Sequence, residues 1–233
     1  MRVALATALA IGVAAAPAAA AAPKVDQLVV FRDGSFKKKT THARQAAVRV
    51  HGRRCAVGAA TPLAALITSR VAKIGLKDFG SCSRRPRDAS GLFVRKLGRD
   101  ANSGQDGWVY KVGNKSGTAG AADPTGPFGH GKLRAGARVL WFYCHIQGSS
   151  CQRTLAFSKV DTGQPGAVEV HVRAYNDRGK GIPAAGVTVH ADALTATTDQ
   201  NGVARLTPGA GTHTLYADGG GYVRSFDSKV AVK

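Results

Sequence analysis

The sequence predicts two unlike domains: an α+β unit with one main helix, then an all-β antiparallel sandwich. Three observations carry this. Apolar residues recur with a clear helical period once, after Thr61-Pro62. Strand-like alternation flanks that stretch on both sides. Past residue 166 the chain changes to short alternating segments separated by turn residues. The expected partition is a leader over 1–22, an α+β domain over 23–158, a linker over 159–166 and a sandwich over 167–233.

The leader rests on Arg2 as a positive start, an apolar run from Val3 to Val13, and small residues from Ala18 to Ala22. That is the pattern of a secretory signal peptide, with cleavage expected after Ala21; an uncleaved anchor is the other reading. Export is therefore expected, with no membrane span left after cleavage. Four cysteines in an exported chain imply two disulfides. Three pairings are open. Cys144 and Cys151 flank six residues directly after a strand-like run, which suits a hairpin-closing bridge and leaves Cys55 with Cys82. A zinc site from Cys144, His145, Cys151 and His130 matches no common ligand spacing, so no metal is expected.

In chain order, QLVVF (27–31) reads as a strand, followed by an Asp33-Gly34 turn and the charged run Lys37, Lys38, Lys39. AAVRVH (46–51) is a second strand. Thr61 as N-cap and Pro62 at the first helical position open a helix whose face is Leu63, Leu66, Ile67, Val71 and Ile74, with Gly75 expected to end it. GLFVRKL (91–97), WVYKV (108–112), RVLWFYC (138–144) and RTLAF (153–157) follow as strands. The excursion 113–131 is too long for a tight hairpin and is the preferred place for specificity. In RVLWFYC both faces are apolar, so this strand should be covered on both sides. In the second half VEVHVRA, VTVHA, LTATT, GVARL, HTLYA, YVRSF and KVAV read as strands, with Asp199 to Gly202 as a hairpin turn.

Charge divides along the same line. The net charge is +19, and residues 23–158 hold 24 Lys and Arg against 7 Asp, while residues 159–233 hold 8 against 7 acids. A basic codon bias alone would spread over both halves. A concentrated positive field attracts polyanions, and the other reading is that the charge only keeps an exported domain soluble. The candidate contacts are Lys37, Lys38, Lys39, Arg53, Arg54, Arg84, Arg85, Arg87 and Lys115. Catalysis finds little support. The chain has a single glutamate, its cysteines are better used in disulfides, and no serine or histidine stands in a recognisable acid–base context. Neither a cofactor nor an enzyme activity is expected.

Two strands, a helix and three more strands is the element order of a β-grasp domain. TPLAALI (61–67), GLFVRKLG (91–98), DGWVYKVGNKSG (106–117) and KLRAGARVLWFYC (132–144) resemble, in order, motifs of a secreted domain family found at the C-terminus of transcobalamin and intrinsic factor. The resemblance covers roughly residues 28–157. It departs from the family at two turn positions: the Asn-Gly turn stands here as Gly113-Asn114, and Ala137 replaces an expected aspartate. The resemblance implies a β-grasp-like fold and a corrinoid-like or other small ligand. Residues 177–217 are similar to bacterial Ig-like and carboxypeptidase regulatory-like repeats, which implies an Ig-like sandwich acting as a spacer or adhesive module.

The expected function is that of an exported, non-catalytic binding protein of the cell envelope. Its basic domain would contact an anionic cell-wall or extracellular polymer, with nucleic acid only as a non-specific polyanion. The alternatives are a structural or adhesive spacer that binds another protein, and a small-ligand module.

Overall fold

The computed structural model describes residues 21–233, so the expected signal peptide falls outside the described residues except for Ala21 and Ala22. Among the described residues no helix is long and apolar enough to cross a membrane. Among the described residues the fold is mostly β, with one α-helix. Strands β1 (Lys24–Val30) and β2 (Phe36–His42) form a hairpin, and β3 (Ala46–Val50) and β4 (Arg53–Val57) form a second one. Helix α1 spans Pro62–Ser69. After it come β5 (Ile74–Asp78), β6 (Leu92–Leu97), β7 (Asp100–Ala101), β8 (Gly107–Val112), β9 (Lys115–Ser116) and β10 (Arg138–Cys144).

The main sheet has the order β2-β1-β10-β8-β9, with β1 and β10 parallel and the other pairs antiparallel. A parallel pair needs a crossover, and the chain between them supplies it through α1. β5, β6 and β7 make a separate antiparallel sheet. Alternation divides β10 as its sequence demands. Val139, Trp141 and Tyr143 join Val25, Val29, Leu63 and Leu66 in the core on the helix side. Leu140, Phe142 and Cys144 join Leu28 and Val30 on the other side.

The charged run Lys37 to Lys39, expected to follow a turn, lies within β2. Its register opposite β1 splits it. Lys37 and Lys39 pair with Val29 and Gln27, whereas Lys38 pairs with Leu28 on the opposite face.

The helix is shorter than its apolar pattern. Thr61 caps it, its Oγ1 accepting from the Ala64 N–H at 3.2 Å, and Pro62 opens it. It stops at Ser69, with Arg70 in the left-handed region at φ 53°. Thr68 and Ser69 turn their hydroxyls back onto the carbonyls of Ala64 and Leu66 at 2.8 Å each, which weakens continuation of the helix. Ile74 and Gly75 are not the helix end but the start of β5, because Ile74 to Asp78 pairs with β6.

The second half holds β11 (Thr154–Asp161), β12 (Val168–Tyr175), β13 (Gly181–Pro183), β14 (Thr188–Ala191), β15 (Leu194–Thr197), β16 (Val203–Leu206), β17 (Gly211–Asp218) and β18 (Ser228–Val232). One sheet has β12 between β11 and β13, with β16 also paired to β12; the other runs β15-β14-β17-β18. Val170, Val172 and Ala204 of the first meet Val189, Leu215 and Ala217 of the second in one core, which makes a sandwich.

Three expectations change here. β11 extends to Asp161 and pairs with β12, so RTLAF belongs to the sandwich and the expected linker is partly strand. Asp199 to Gly202 is a turn, its Asp199 Oδ1 accepting from the Asn201 and Val203 N–H groups at 2.9 Å. It is not a hairpin turn, because β15 and β16 belong to different sheets. YVRSF is not a strand: only Val223 pairs, in an isolated bridge to Thr154. The segment serves the junction instead.

At that junction Val223 and Phe226 cover Leu140 and Phe142, so the sandwich is what closes the second apolar face of β10. Arg224 lies 3.6 Å from the Phe36 ring centroid and 4.4 Å from that of Tyr216, and its Nη2 donates to Asp227 Oδ1 at 2.9 Å. Asp227 also pairs with Lys38. Lys111, on the opposite face of β8 from Trp108 and Tyr110, is fully buried. Its Nζ donates to the carbonyls of Tyr175 (3.0 Å) and Asn176 (3.1 Å) and lies 3.7 Å from Asp177 Oδ1.

Burial pushes the Lys111 ammonium down to about 8, and nearby Asp177 offsets only part of that. The unfolded chain, with lysine near its ordinary value of about 10.4, then holds more protons between pH 8 and 10 than the folded one. Stability contributed by this group therefore rises with pH across that window, by an amount of order 2 kcal/mol. Denaturant melts from pH 7.5 to 10 should show the rise in the wild-type chain and lose it in Lys111→Met. Identical pH slopes in the two proteins would rule out a lowered pKa for Lys111.

Candidate anion-binding groove

The β3–β4 hairpin turns through His51 and Gly52, whose φ values of 47° and 77° are both positive. This two-residue turn sets Val50 opposite Arg53 and Arg49 opposite Arg54. Residues directly opposite on paired strands point to the same face, so two guanidinium groups stand side by side on this ribbon. The other face carries Val48 opposite Cys55, and Cys55 is buried.

The loop after β5 is drawn against β4 from outside. Cys82 bridges to Cys55, and the Ala56 N–H donates to the Ser83 carbonyl at 2.7 Å. Asp78 shapes the approach, its carboxylate accepting from the N–H groups of Gly80 (3.0 Å) and Cys82 (2.9 Å). Ser83 Oγ donates to Asp88 at 2.5 Å and accepts from the Arg85 N–H at 2.9 Å.

Between hairpin and loop lies a concavity of about 690 Å³, lined by Arg49, Arg53, Arg54 and Arg84 together with Ser81 and Ser83. A neighbouring hollow shares Arg54 and Arg84. No carboxylate lines either hollow. Among the described residues, none of the four arginines makes an ion pair. Like charges directly opposite on a ribbon cost about 0.2–1 kcal/mol, a cost that a bound anion would remove.

The nine nominated basic residues therefore separate. Arg53, Arg54 and Arg84 come together. Arg85 and Arg87 stay on the same loop outside the groove, with Arg87 3.7 Å from Asp88. Lys38 is taken by Asp227, and Lys37 and Lys39 lie on the other face of β2. Lys115 sits on β9 with its Nζ 5.3 Å from the Phe128 ring centroid. Arg49 also belongs to the groove, although it stands outside the basic runs of the sequence. Its signal was in the sequence: a His-Gly turn between Val48-Arg49-Val50 and Arg53-Arg54-Cys55 sets the register that pairs it with Arg54.

The remaining disulfide joins Cys144 to Cys151, so both expected bridges form, as suits an oxidising compartment. No group of three or more His, Cys, Asp or Glu residues suited to a metal ion occurs among the described residues. Comparison of the chain with family models, with curated proteins and with solved structures finds no match.

Proposed function

We propose that this chain is an exported, non-catalytic binding protein of the cell envelope whose basic domain grips an anionic polymer. The observation that carries the reading is the groove: four arginines, two of them forced side by side by strand register, with no carboxylate in its walls. Concentration of charge in residues 23–158 supports it, since a positive field on one half would guide a polyanion to that half. Nothing in the groove is shaped to read bases, so nucleic acid would bind only through its phosphates.

The order β2-β1-β10-β8-β9 with its one parallel pair supports a β-grasp-like assignment for the first domain, and the two packed sheets support an Ig-like one for the second. Their boundary is best drawn between Cys144, where β10 ends, and Thr154, where β11 begins.

Titration with fluorescent polyphosphate, wall teichoic acid and single-stranded DNA across a salt series tests this. The logarithm of affinity should fall linearly with the logarithm of salt, by about 0.7–0.9 for each phosphate contacted. Arg49→Ala with Arg54→Ala should reduce that slope by about 1.5 and weaken binding at low salt by at least about tenfold, whereas Lys37→Ala with Lys39→Ala should do far less. If the arginine pair can be removed with no change in slope or affinity, the groove is not the binding site.

A further inference from the structure

The main sheet ends at β2, and that edge is open. β2 pairs with β1 over seven consecutive residues. Hydrogen bonding in an antiparallel pair alternates from residue to residue, and both ends of this hairpin fix the phase. The Phe31 N–H donates to the Ser35 carbonyl at 2.7 Å, and the Ala43 N–H donates to the Pro23 carbonyl at 2.9 Å. Lys37, Lys39 and Thr41 therefore turn their backbone groups toward β1, while Phe36, Lys38 and Thr40 turn theirs away. Among the described residues, the outward N–H and carbonyl groups of these three meet no partner.

An unpaired strand edge is a template for another strand, and folded proteins ordinarily blunt it. The other outer strands here are blunted. β7 and β9 are two residues long, and the Ser116 N–H of β9 donates to the Asp177 carbonyl at 2.9 Å. The outer side of β4 is met by Ser83, and β5 and β11 each carry a break in register. β13 ends in Pro183, and β3, β15, β16 and β18 are no longer than five residues. β2 has neither break nor proline, and every residue in it but Thr41 is exposed.

The charge on this edge says what can pair with it. Lys37 and Lys39 share one face and make no ion pair among the described residues, whereas Lys38, on the other face, is taken by Asp227. Antiparallel pairing with β2 of a second copy, centred on Lys38, would set Lys37 opposite Lys39, and like charges directly opposite destabilise a sheet. Carboxylates in those positions would be paired instead. On the face of Lys38 stands Phe36, 42% exposed. We propose that the free edge of β2 accepts an extended acidic segment of a second protein as an added strand. The main chain of that segment pairs with Phe36, Lys38 and Thr40, and carboxylates at alternate positions face Lys37 and Lys39. Apolar residues between the carboxylates lie on the side of Phe36. This goes beyond the binding of a polymer, and the edge shares no residue with the arginine groove.

A fluorescent peptide alternating glutamate with valine is the probe, with two isomers methylated on the backbone nitrogens of its valines or of its glutamates. Only one alternate set of amides can face β2, so one isomer should bind like the parent and the other at least about tenfold more weakly. Hydrogen exchange reads the site: the amides of Phe36, Lys38 and Thr40 should exchange freely in the protein alone and become protected by the peptide. Lys37→Glu with Lys39→Glu should weaken binding by at least about tenfold, leave the unfolding transition in place, and favour a lysine–valine peptide instead. Arg49→Ala with Arg54→Ala should leave the affinity for the glutamate–valine peptide unchanged, which separates the edge from the groove. Absence of saturable binding, equal affinities of the two isomers, or loss of binding with the arginine pair would overturn the proposal. So would protection of the three amides that grows with protein concentration in the absence of peptide, as pairing between copies requires.

Discussion

Replacing Cys55 and Cys82 with serine is expected to lower stability by about 3–4 kcal/mol and to abolish the proposed polyanion binding at the same time. The first figure follows from loop entropy. The bridge closes a sequence separation of 27 residues, and cross-linking a loop of that size removes about this much free energy from the unfolded ensemble. Loss of binding follows from position. Arg54 adjoins Cys55, and Arg84 stands two residues beyond Cys82, so the bridge ties together the two walls of the groove. Without it, the contacts between those walls that remain include one backbone hydrogen bond, Ala56 to Ser83, working against repulsion between guanidinium groups. The Cys144–Cys151 bridge is the control. It closes a separation of 7 residues and lies away from the groove, so its loss should cost only about 2 kcal/mol and leave polyanion affinity unchanged. Denaturant melts and the salt-series titration measure both effects. A Cys55→Ser, Cys82→Ser protein that is folded and binds as tightly as wild type would show that the groove does not depend on the bridge.

Phe142→Ala should be comparably damaging, about 3–5 kcal/mol, because the ring is completely buried at the junction with Val223 and Phe226 around it. Its effect should also have a distinct form. The wild-type chain shares apolar, cationic and hydrogen-bonded contacts across the junction and should melt in one calorimetric transition. With the ring removed, the sheet of β10 and the sandwich should melt separately. Val223→Ala, which removes less volume from the same place, should give the same change to a smaller degree. A loss below about 1 kcal/mol for Phe142→Ala would mean that the junction is not packed as described.

Much of the local structure was legible in the residues. Thr61-Pro62 announced the helix start because an N-cap hydroxyl and a residue without an N–H both suit the first turn. Alternation in RVLWFYC sorted its side chains into two buried sets, and the spacing of Cys144 and Cys151 pointed to their bridge. The failures lay where tertiary pairing overrides a local pattern. Ile74 fits the helical face but pairs with Leu97, and YVRSF alternates like a strand but is used to cover Phe142. Lysines 37–39 looked like one cluster, yet residues in a strand point to opposite faces in turn.

By itself, then, the sequence determined the helix start, the strand periodicity, the even set of cysteines and the concentration of charge in the first half, because each is a property of near neighbours or of composition. Which arginines meet, what covers the far face of β10, and why Lys111 is buried were decided only by the tertiary structure. Those outcomes depend on contacts between residues tens of positions apart. Arg84 reaches Arg54 through a disulfide, and Lys111 reaches the Tyr175 carbonyl from the other half of the chain. No periodicity within a single segment encodes such a meeting. The register between strands and the packing between sheets do.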